Sequence, residues 1–211
     1  EELRRRTIDH FAAQNRAVTQ QDYEAVVYAM PEKFGAIKRC RIVRDPDSLK
    51  RNLNLYIMSE NSFRKLTAAN TTIKENLKTW LSRFKMINDT IDILDAKIAN
   101  IGIEFEIVAG DQENRFDVLS NCVAAVRDRF RQSLYIGEPL YISELYSILN
   151  KVRGVVDTKN VKVVQKTGSN YASIALDVDS LTSADGRYLS VPENVVLEIK
   201  FPDNDIKGAV S

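Results

Sequence analysis

The stretch QNRAVTQQDYEAVVYAM, from Gln14 to Met30, is followed at once by PEKFGAIKRCRIV, from Pro31 to Val43. Thr19 is a good helix N-cap, and Asp22 stands three residues later, where its carboxylate can reach free backbone N–H groups. Gly35 then separates the helical pattern from an alternating segment that ends at Val43. The sequence therefore predicts a capped helix, a glycine stop and a strand, with one apolar helix face formed by Tyr23, Val26, Val27 and Met30.

A similar pattern returns in YISELYSILNKVRGVVDTKNVKVV, from Tyr141 to Val164. Here Ser143 is the predicted N-cap, Gly154 ends the helix in a left-handed conformation, and a strand covers Val161–Val164. Two loose copies of one helix–glycine–strand unit favour two related lobes over a solenoid of many repeats.

The remaining periodicities fill in both lobes. Thr72 opens a long helix with Glu75 in the capping-box position, and Asn114 opens another helix whose apolar stripe is Phe116, Leu119, Val123, Val126 and Phe130. Alternating residues predict further strands at Leu53–Ile57, Thr90–Leu94 and Ile98–Ala109, and a C-terminal hairpin made of Ile174–Val178 and Val195–Phe201.

These elements predict an α+β fold of two small lobes, each a mixed sheet packed with amphipathic helices. Residues 1–18 are expected to be the helical remainder of an upstream region, since the first residue is Glu1 rather than Met. Residues 19–110 form the first predicted lobe. Residues 111–211 form the second lobe with its C-terminal hairpin.

The composition argues against strong electrostatic partners. Among 211 residues, 30 are Lys or Arg and 29 are Asp or Glu, so no net field favours nucleic acid or an anionic membrane. No apolar run reaches the roughly 18 residues that a membrane helix needs. The two cysteines, Cys40 and Cys122, stand among apolar neighbours and are expected to be buried free thiols, as in a reducing cytoplasm.

Catalytic and metal-binding patterns are scarce. His10 is the only histidine, so a zinc site or a Ser-His-Asp arrangement would need unusual components. The sequence also lacks the glycine-rich phosphate-binding motifs and the nucleophile-elbow motif. We therefore expect no enzyme activity, no cofactor, no metal, no small-molecule substrate and no catalytic or cofactor-binding residues.

Carboxylates are the best remaining catalytic candidates. Asp89, Asp92 and Asp95 recur every third residue, and Glu104 and Glu106 share one strand face. Paired acids can hydrolyse glycosidic bonds, which keeps a carboxylate-dependent glycan hydrolase open as an alternative. Solvated surface positions are favoured, because a catalytic pair needs one carboxyl with a higher pKa than the other, and nothing nearby in the sequence would cause that difference.

A basic cluster near the first predicted strand is the best nucleic-acid candidate. Its members are Lys38, Arg39, Arg41 and Arg44. No aromatic residues are interleaved with them, and Cys40 and Ile42 alternate with the arginines as in a half-exposed strand. A solvated strand face, or a polar protein contact, is the favoured interpretation, and no nucleic-acid partner is expected.

Several longer stretches carry a family resemblance. They are QNRAVTQQDYEAVVYAMP with FGAIKR, LNLYIMS, NLKTWLSRFKMINDTIDILDAKIANIGIEFEI and IGEPLYISELYSILNKVRGV. In this order they resemble the baseplate-J-like family of contractile phage tails, and within it the baseplate wedge ring proteins of large contractile-tail phages. The resemblance extends from about Asn15 to Val164, and it implies a further extended region upstream of Gln14.

The resemblance implies a structural role in a virion. Such proteins form the inner ring around the tail hub, join wedges to one another and help to transmit the trigger for sheath contraction. It implies homo-oligomeric contacts, other wedge and hub proteins as partners, and a tail baseplate assembled in the host cytoplasm. A type VI secretion system or a tailocin is the alternative setting, because related proteins serve there.

Large amphipathic side chains are candidate interface material, although the sequence does not say which faces form contacts. They are Trp80, Tyr135, Tyr141 and Tyr146. Tyr and Trp bury much area with little loss of rotamer entropy, which favours them at interfaces. For Trp80 a position in the core is at least equally expected, since its helical stripe faces inward. We expect self-association without assigning it to these residues.

Overall fold

The computed structural model describes residues 16–45, 52–61, 65–110, 113–131 and 134–211. The chain divides into two compact units, of which the first ends at Ala96 and the second spans Lys97–Ser211. Both units combine helices with mixed sheets, so the predicted α+β fold class is confirmed. The predicted helix over residues 1–18 lies outside the described residues except for its last three, which are not helical.

The first unit is built around one central strand. Its elements are α1 (Gln20–Tyr28), a short 3₁₀ helix (Glu32–Phe34), β1 (Arg39–Arg44), β2 (Asn52–Glu60), β3 (Leu66–Thr67), α2 (Thr71–Leu81) and β4 (Thr90–Asp95). The central β2 pairs antiparallel with β1 and parallel with β4, and its end pairs antiparallel with β3. The helices and the sheet enclose an apolar core that includes Tyr23, Val27, Cys40, Ile42, Leu55, Ile57, Leu77 and Leu81.

Local capping explains where the helices of this unit begin. The predicted capping box is confirmed, because the Asp22 N–H donates to Thr19 Oγ1 (3.2 Å) and the Thr19 N–H donates to Asp22 Oδ2 (2.8 Å). The predicted start of the second helix at Thr72 is wrong. Asn70 is the N-cap and accepts from the Ile73 N–H at 2.8 Å, since its short side chain reaches the third helical residue.

The second unit has the same kind of mixed sheet. Its elements are β5 (Lys97–Ala109), α3 (Arg115–Arg129), β6 (Leu140–Tyr141), α4 (Ile142–Asn150), β7 (Val155–Gln165), α5 (Val178–Leu181), β8 (Tyr188–Leu189), β9 (Val195–Glu198), α6 (Pro202–Asp205) and β10 (Ile206–Val210). The long β5 pairs antiparallel with β7 and parallel with both β9 and β10. Side chains of β5, α3 and α4 contribute to its core, including Ile101, Ile103, Ile107, Val126, Leu145 and Leu149.

The observed division of the chain lies earlier than the boundary predicted at residue 110. The prediction assigned β5 to the first lobe, but β7, β9 and β10, to which β5 is hydrogen-bonded, all lie in the second unit. A strand belongs to the sheet that satisfies its backbone, and the boundary therefore falls between Ala96 and Lys97.

The predicted C-terminal hairpin is wrong. Residues 174–177 are not in a strand, and β9 does not pair with them but lies parallel to Lys97–Asn100 of β5. The alternation of Val195, Leu197 and Ile199 correctly indicated a strand without identifying its partner. β10 was not predicted at all.

The helices of the second unit correct two further predictions. Asn114 is the N-cap of α3, as predicted, but Phe116 is 83% exposed, and the buried face consists of Val118, Cys122 and Val126. Ser143 is not an N-cap, because α4 begins one residue earlier. Its N–H donates to the Arg187 carbonyl (3.1 Å), which the short β6–β8 pair brings to the helix start.

The two predicted glycine stops are present. Gly35 has φ +121° and precedes β1, and Gly154 has φ +90° and precedes β7, so both backbones favour glycine. In each unit, therefore, a helix and a glycine with positive φ lead into the strand that pairs antiparallel with the central strand. Within the described residues, no helix is long and apolar enough to cross a membrane.

Candidate protein-interaction surfaces

The described residues do not assemble the predicted acids into one site. Asp92 is exposed on β4, whereas Asp95 accepts from Lys74 Nζ at 2.6 Å. Asp89 is buried and accepts from the Tyr23 hydroxyl at 2.6 Å, a contact that joins α1 to the loop before β4. The three aspartates thus occupy three different environments.

Glu104 and Glu106 form ion pairs with lysines that lie in or next to β7. Lys159 Nζ lies 3.2 Å from Glu106 Oε1, and Lys166 Nζ lies 3.9 Å from Glu104 Oε1. Both carboxylates remain close to half exposed, so these pairs contribute at most about 1 kcal/mol each. Among the described residues, no group of three or more His, Cys, Asp or Glu side chains could hold a metal ion.

The predicted basic cluster lies on β1, with Lys38 directly before the strand. Arg39 and Arg41 are partly exposed and alternate with the buried Cys40 and Ile42, as the sequence predicted for a half-exposed strand. Lys38 pairs with Glu60 at 2.9 Å. This arrangement is an ordinary strand face with cross-strand charge contacts.

The outer edge of β1 is closed by side chains of α1. The Cys40 N–H donates to the Tyr28 hydroxyl (3.1 Å), and the Ile42 N–H donates to Glu24 Oε1 (3.3 Å). Burial raises the pKa of the Cys40 thiol to about 12 and also raises the pKa of Tyr28, which lies beside that thiol. Because the outward donors of Cys40 and Ile42 are satisfied, this part of the edge is protected against pairing with another strand.

The second unit closes one position of its corresponding edge in the same way. The Val161 N–H on β7 donates to the hydroxyl of Tyr146, which α4 carries. Helix α4 is held to α3 by two hydrogen bonds, from Arg129 Nε to Glu144 Oε1 (2.7 Å) and from Arg129 Nη2 to Glu144 Oε2 (3.0 Å). The hydrogen bonding to Glu144 raises the pKa of Arg129.

At the opposite edge of the first sheet, no further strand among the described residues pairs with β4. The Ala96 N–H donates to the Ile57 carbonyl (3.1 Å), which shows that the backbone groups of even-numbered residues in and next to β4 point toward β2. The backbone groups of Ile91 and Ile93 therefore point away from the sheet. A groove of about 400 Å³ runs along this edge, bounded by α2 through Lys74 and Lys78. Open edges of this kind are templates for strand addition.

The predicted aromatic candidates fall into two groups. Trp80 is partly buried, donates from Nε1 to the Val26 carbonyl (2.9 Å) and packs on Phe84, so it belongs to the core of the first unit. Tyr141, by contrast, is 51% exposed and lies 6.2 Å, between ring centroids, from the 42% exposed Tyr188. This exposed aromatic pair, Tyr141–Tyr188, is the better interface candidate.

Tyr135 and Tyr146 take different places. Tyr135 is 58% exposed, whereas the hydroxyl of Tyr146 accepts from the Val161 N–H and so closes one position of the β7 edge. The cysteines are both buried and free, as predicted, and burial raises the pKa of the Cys122 thiol to about 11.

Sequence reasoning missed a buried polar network in the second unit. Asn100, only 1% exposed, accepts the Ala172 N–H on its side chain (2.7 Å) and the Lys166 N–H on its carbonyl (2.9 Å). Asp205, equally buried, accepts from the Tyr171 hydroxyl (2.7 Å) and the Phe201 N–H (2.8 Å). These bonds fix an extended segment across the sheet, and the only sequence signal is one asparagine in an apolar strand.

No family model matches the chain, and no curated protein matches it. Among solved structures, the chain is similar to a chain in the cryo-EM structure of the anti-feeding prophage baseplate, six-fold symmetrised, with 11% sequence identity and a TM-score of 0.53. The match covers 90% of this chain but only 39% of that one. At this identity the match establishes a shared fold, an α+β arrangement found in a baseplate chain about two and a half times as long as the matched part.

Proposed function

We propose that this chain is a structural component of a contractile phage tail baseplate. It forms part of the wedge ring around the hub through protein–protein contacts and helps to transmit the trigger for sheath contraction. The observation that carries the proposal is the fold shared with an anti-feeding prophage baseplate chain over 90% of this chain. The order of the sequence stretches that resemble the baseplate-J-like family adds independent support.

The surface chemistry of the described residues suits contacts rather than catalysis. Glu104 and Glu106 form ion pairs with lysines at the sheet surface, which is unlike the unequal pair of carboxyl groups that glycan hydrolysis needs. The exposed Tyr141–Tyr188 pair and the open β4 edge supply material for binding proteins. We accordingly propose no enzyme activity, no cofactor, and neither nucleic acid nor membrane as partner.

Assembly is the direct test. The chain is sedimented over a hundredfold concentration range, alone and with the other wedge and hub proteins of its own particle. We expect weak self-association alone and firm complexes in the mixture, since a ring subunit presents two complementary patches. A strict monomer in every mixture would contradict the proposal, and so would clearing of a peptidoglycan suspension by the pure chain.

Variants of the aromatic pair refine this test. Replacing Tyr141 and Tyr188 together by Thr removes exposed aromatic area and should weaken assembly. Phe116→Thr is the matched control, because Phe116 is equally large and 83% exposed but lies on α3. Equal weakening by both changes would mean that nonspecific apolar contact, and not the Tyr141–Tyr188 pair, drives association.

A related contractile injection machine, such as a type VI secretion system or a tailocin, is the second candidate setting. The fold shared with a chain of the anti-feeding prophage baseplate supports this second setting as well. Electron microscopy of particles that contain the chain separates the settings: tails joined to DNA-filled heads indicate a phage, and headless particles indicate an injection machine.

A further inference from the structure

A cleft of about 630 Å³ lies along the outer edge of β7 in the second unit. Its floor is the continuous strand segment from Asn160 to Val163, and its walls are α4 and the segment from Val178 to Arg187. The lining side chains are Ile142, Ser143, Tyr146, Val178, Asp179 and Arg187, among others. This volume falls in the range of ordinary ligand pockets.

The hydrogen bonds of β5 reveal which backbone groups face this cleft. The Asn100 carbonyl accepts from Lys166, at the end of β7 (2.9 Å), whereas the Ile107 carbonyl accepts from Ser211, after β10 (3.0 Å). The direction of backbone hydrogen bonds alternates along a strand, so the backbone groups of even-numbered β5 residues point toward β7. Glu104 and its register partner Lys162 are therefore a hydrogen-bonded pair.

The backbone N–H and C=O groups of Val161 and Val163, on either side of Lys162, therefore point away from β5. The bond from the Val161 N–H to the Tyr146 hydroxyl (3.0 Å) agrees with this direction. The Val161 carbonyl and both backbone groups of Val163 face the cleft, and no hydrogen-bond partner for them lies in the described part of the chain. The edge of β1 differs, since both Cys40 and Ile42 have their outward N–H groups bound by side chains.

Charges in the sheet indicate what would lie beside β7. In register across three strands stand Lys207 on β10, Glu104 on β5 and Lys162 on β7. Lys162 is exposed and forms no ion pair with any described residue. Opposite charges on adjacent strands stabilise their pairing, so the alternation continues favourably with an acidic residue beside Lys162.

The cleft is apolar only on the side of the core, because the wall from Val178 to Arg187 also carries Asp179 and Asp185, of which Asp185 pairs with Arg187 at 3.4 Å. Ile142, Tyr146 and Val178 line it on the side of the core. A strand lying against β7 would turn successive side chains alternately toward these residues and toward Lys162. Its preferred sequence therefore alternates apolar and acidic residues.

We propose that this cleft binds an extended peptide segment of a partner protein, which adds to β7 as a further strand with an acidic residue beside Lys162. The segment donates to the Val161 carbonyl and accepts from the Val163 N–H. Four strand residues span about 13 Å, which matches the floor from Asn160 to Val163. This mode of recognition takes affinity from the backbone and selectivity from alternate side chains.

The probe is the peptide acetyl-Thr-Val-Glu-Val-Glu-Thr-amide, titrated into the full chain labelled with ¹⁵N. The comparison peptide carries Lys in place of both Glu residues. We expect saturable shifts of the Val161 and Val163 amide signals, slower hydrogen exchange at the Val163 N–H, and about fivefold tighter binding of the acidic peptide at low salt.

Two charge variants complete the test. Lys162→Glu should reverse the preference between the peptides, whereas Lys207→Glu, in the same register row but on the far strand, should preserve it. Both positions are exposed, so both variants should fold. The proposal fails if neither peptide binds, if the shifts lie elsewhere, if the peptides bind equally, or if the two variants behave alike.

A second copy of the chain is the competing occupant. Concentration-dependent shifts at Val163 without peptide would identify it and overturn the proposal. All these measurements use the isolated chain, so their outcome is independent of whether the chain proves to be a baseplate component.

Discussion

Replacing Gly154 by Ala tests whether the second unit depends on the close approach of this backbone to α3. Gly154 has φ +90°, and a Cβ added there would lie 2.7 Å from Val118 Cγ2 and 3.3 Å from Glu113 Cγ. Val118 is 2% exposed, so its methyl group cannot move into solvent. The substitution thus combines backbone strain with a core overlap.

The free energy of unfolding should fall by about 1–4.5 kcal/mol, with a central value of about 3 kcal/mol. An L-residue in the left-handed region costs about 1–2 kcal/mol. Overpacking against a buried side chain adds about 1–3 kcal/mol. The lower entropy of the unfolded chain with Ala returns about 0.4–1 kcal/mol.

Two other glycines separate these contributions. Gly186 has φ +67° with nothing within 4 Å, so Gly186→Ala has strain but no overlap and should cost about 1 kcal/mol or less. Gly110 has its nearest atom, Val156 Cγ2, at 3.8 Å and no positive φ. Gly110→Ala should therefore leave stability unchanged or raise it by up to about 1 kcal/mol.

Urea denaturation followed by circular dichroism measures the series under one set of conditions. The predicted order of stability is Gly110→Ala, then Gly186→Ala, then Gly154→Ala. Equal stability of the Gly154 and Gly110 variants would refute the reasoning, because only Gly154 has the positive φ and the overlap with Val118. A Gly186 variant as unstable as the Gly154 variant would refute the contribution of packing.

Three further outcomes follow from the hydrogen bonds and burial. Tyr146→Phe should cost about 1 kcal/mol and speed hydrogen exchange at the Val161 N–H, which loses its hydroxyl acceptor; unchanged exchange would contradict the closed edge. Cys40 and Cys122 should react with a thiol reagent at pH 8 only on unfolding, since burial raises their pKa values to about 12 and about 11; rapid reaction of the native chain would contradict this. Hydrogen bonds from Thr19 and Val18 outweigh the effect of burial and lower the pKa of Asp22, so its contribution to stability is present above about pH 4 and is lost as pH falls through its folded pKa. Asp22→Asn should flatten this part of the stability–pH curve, and an unchanged curve would exclude the capping carboxylate as its cause.

Helix starts could be predicted from the sequence where one side chain closes its own helix. Thr19 and Asn114 succeed because the cap and its partner are at most three residues apart. Ser143 fails because the helix begins before it, and its own N–H donates to the carbonyl of Arg187, far along the chain. The predicted start at Thr72 fails differently, since the nearby Asn70 competes successfully for the cap.

Strand partners could not be predicted from local patterns. The alternation from Val195 onward indicates a strand but not its partner, because it is compatible with a hairpin as well as with the parallel pairing to Lys97–Asn100 that buries Val195, Val196 and Leu197 alike. The division at Ala96 follows from that same pairing and was missed for the same reason. The closed edges could not be predicted either, because nothing in the helix sequences shows that the Tyr28 and Tyr146 hydroxyls accept from strand N–H groups.

The two units solve one structural problem to different extents. Each has a central strand with an antiparallel neighbour on one side and a parallel neighbour on the other, and each places a helix tyrosine over the antiparallel edge. In the first unit Glu24 and Tyr28 close two outward donors of β1, those of Ile42 and Cys40. In the second unit Tyr146 closes one position and leaves Val163 facing a cleft. An unpaired edge risks unwanted strand addition, so a fold that closes two positions of one edge and only one position of the equivalent edge, beside the exposed Lys162, has the features of a site kept for a specific strand.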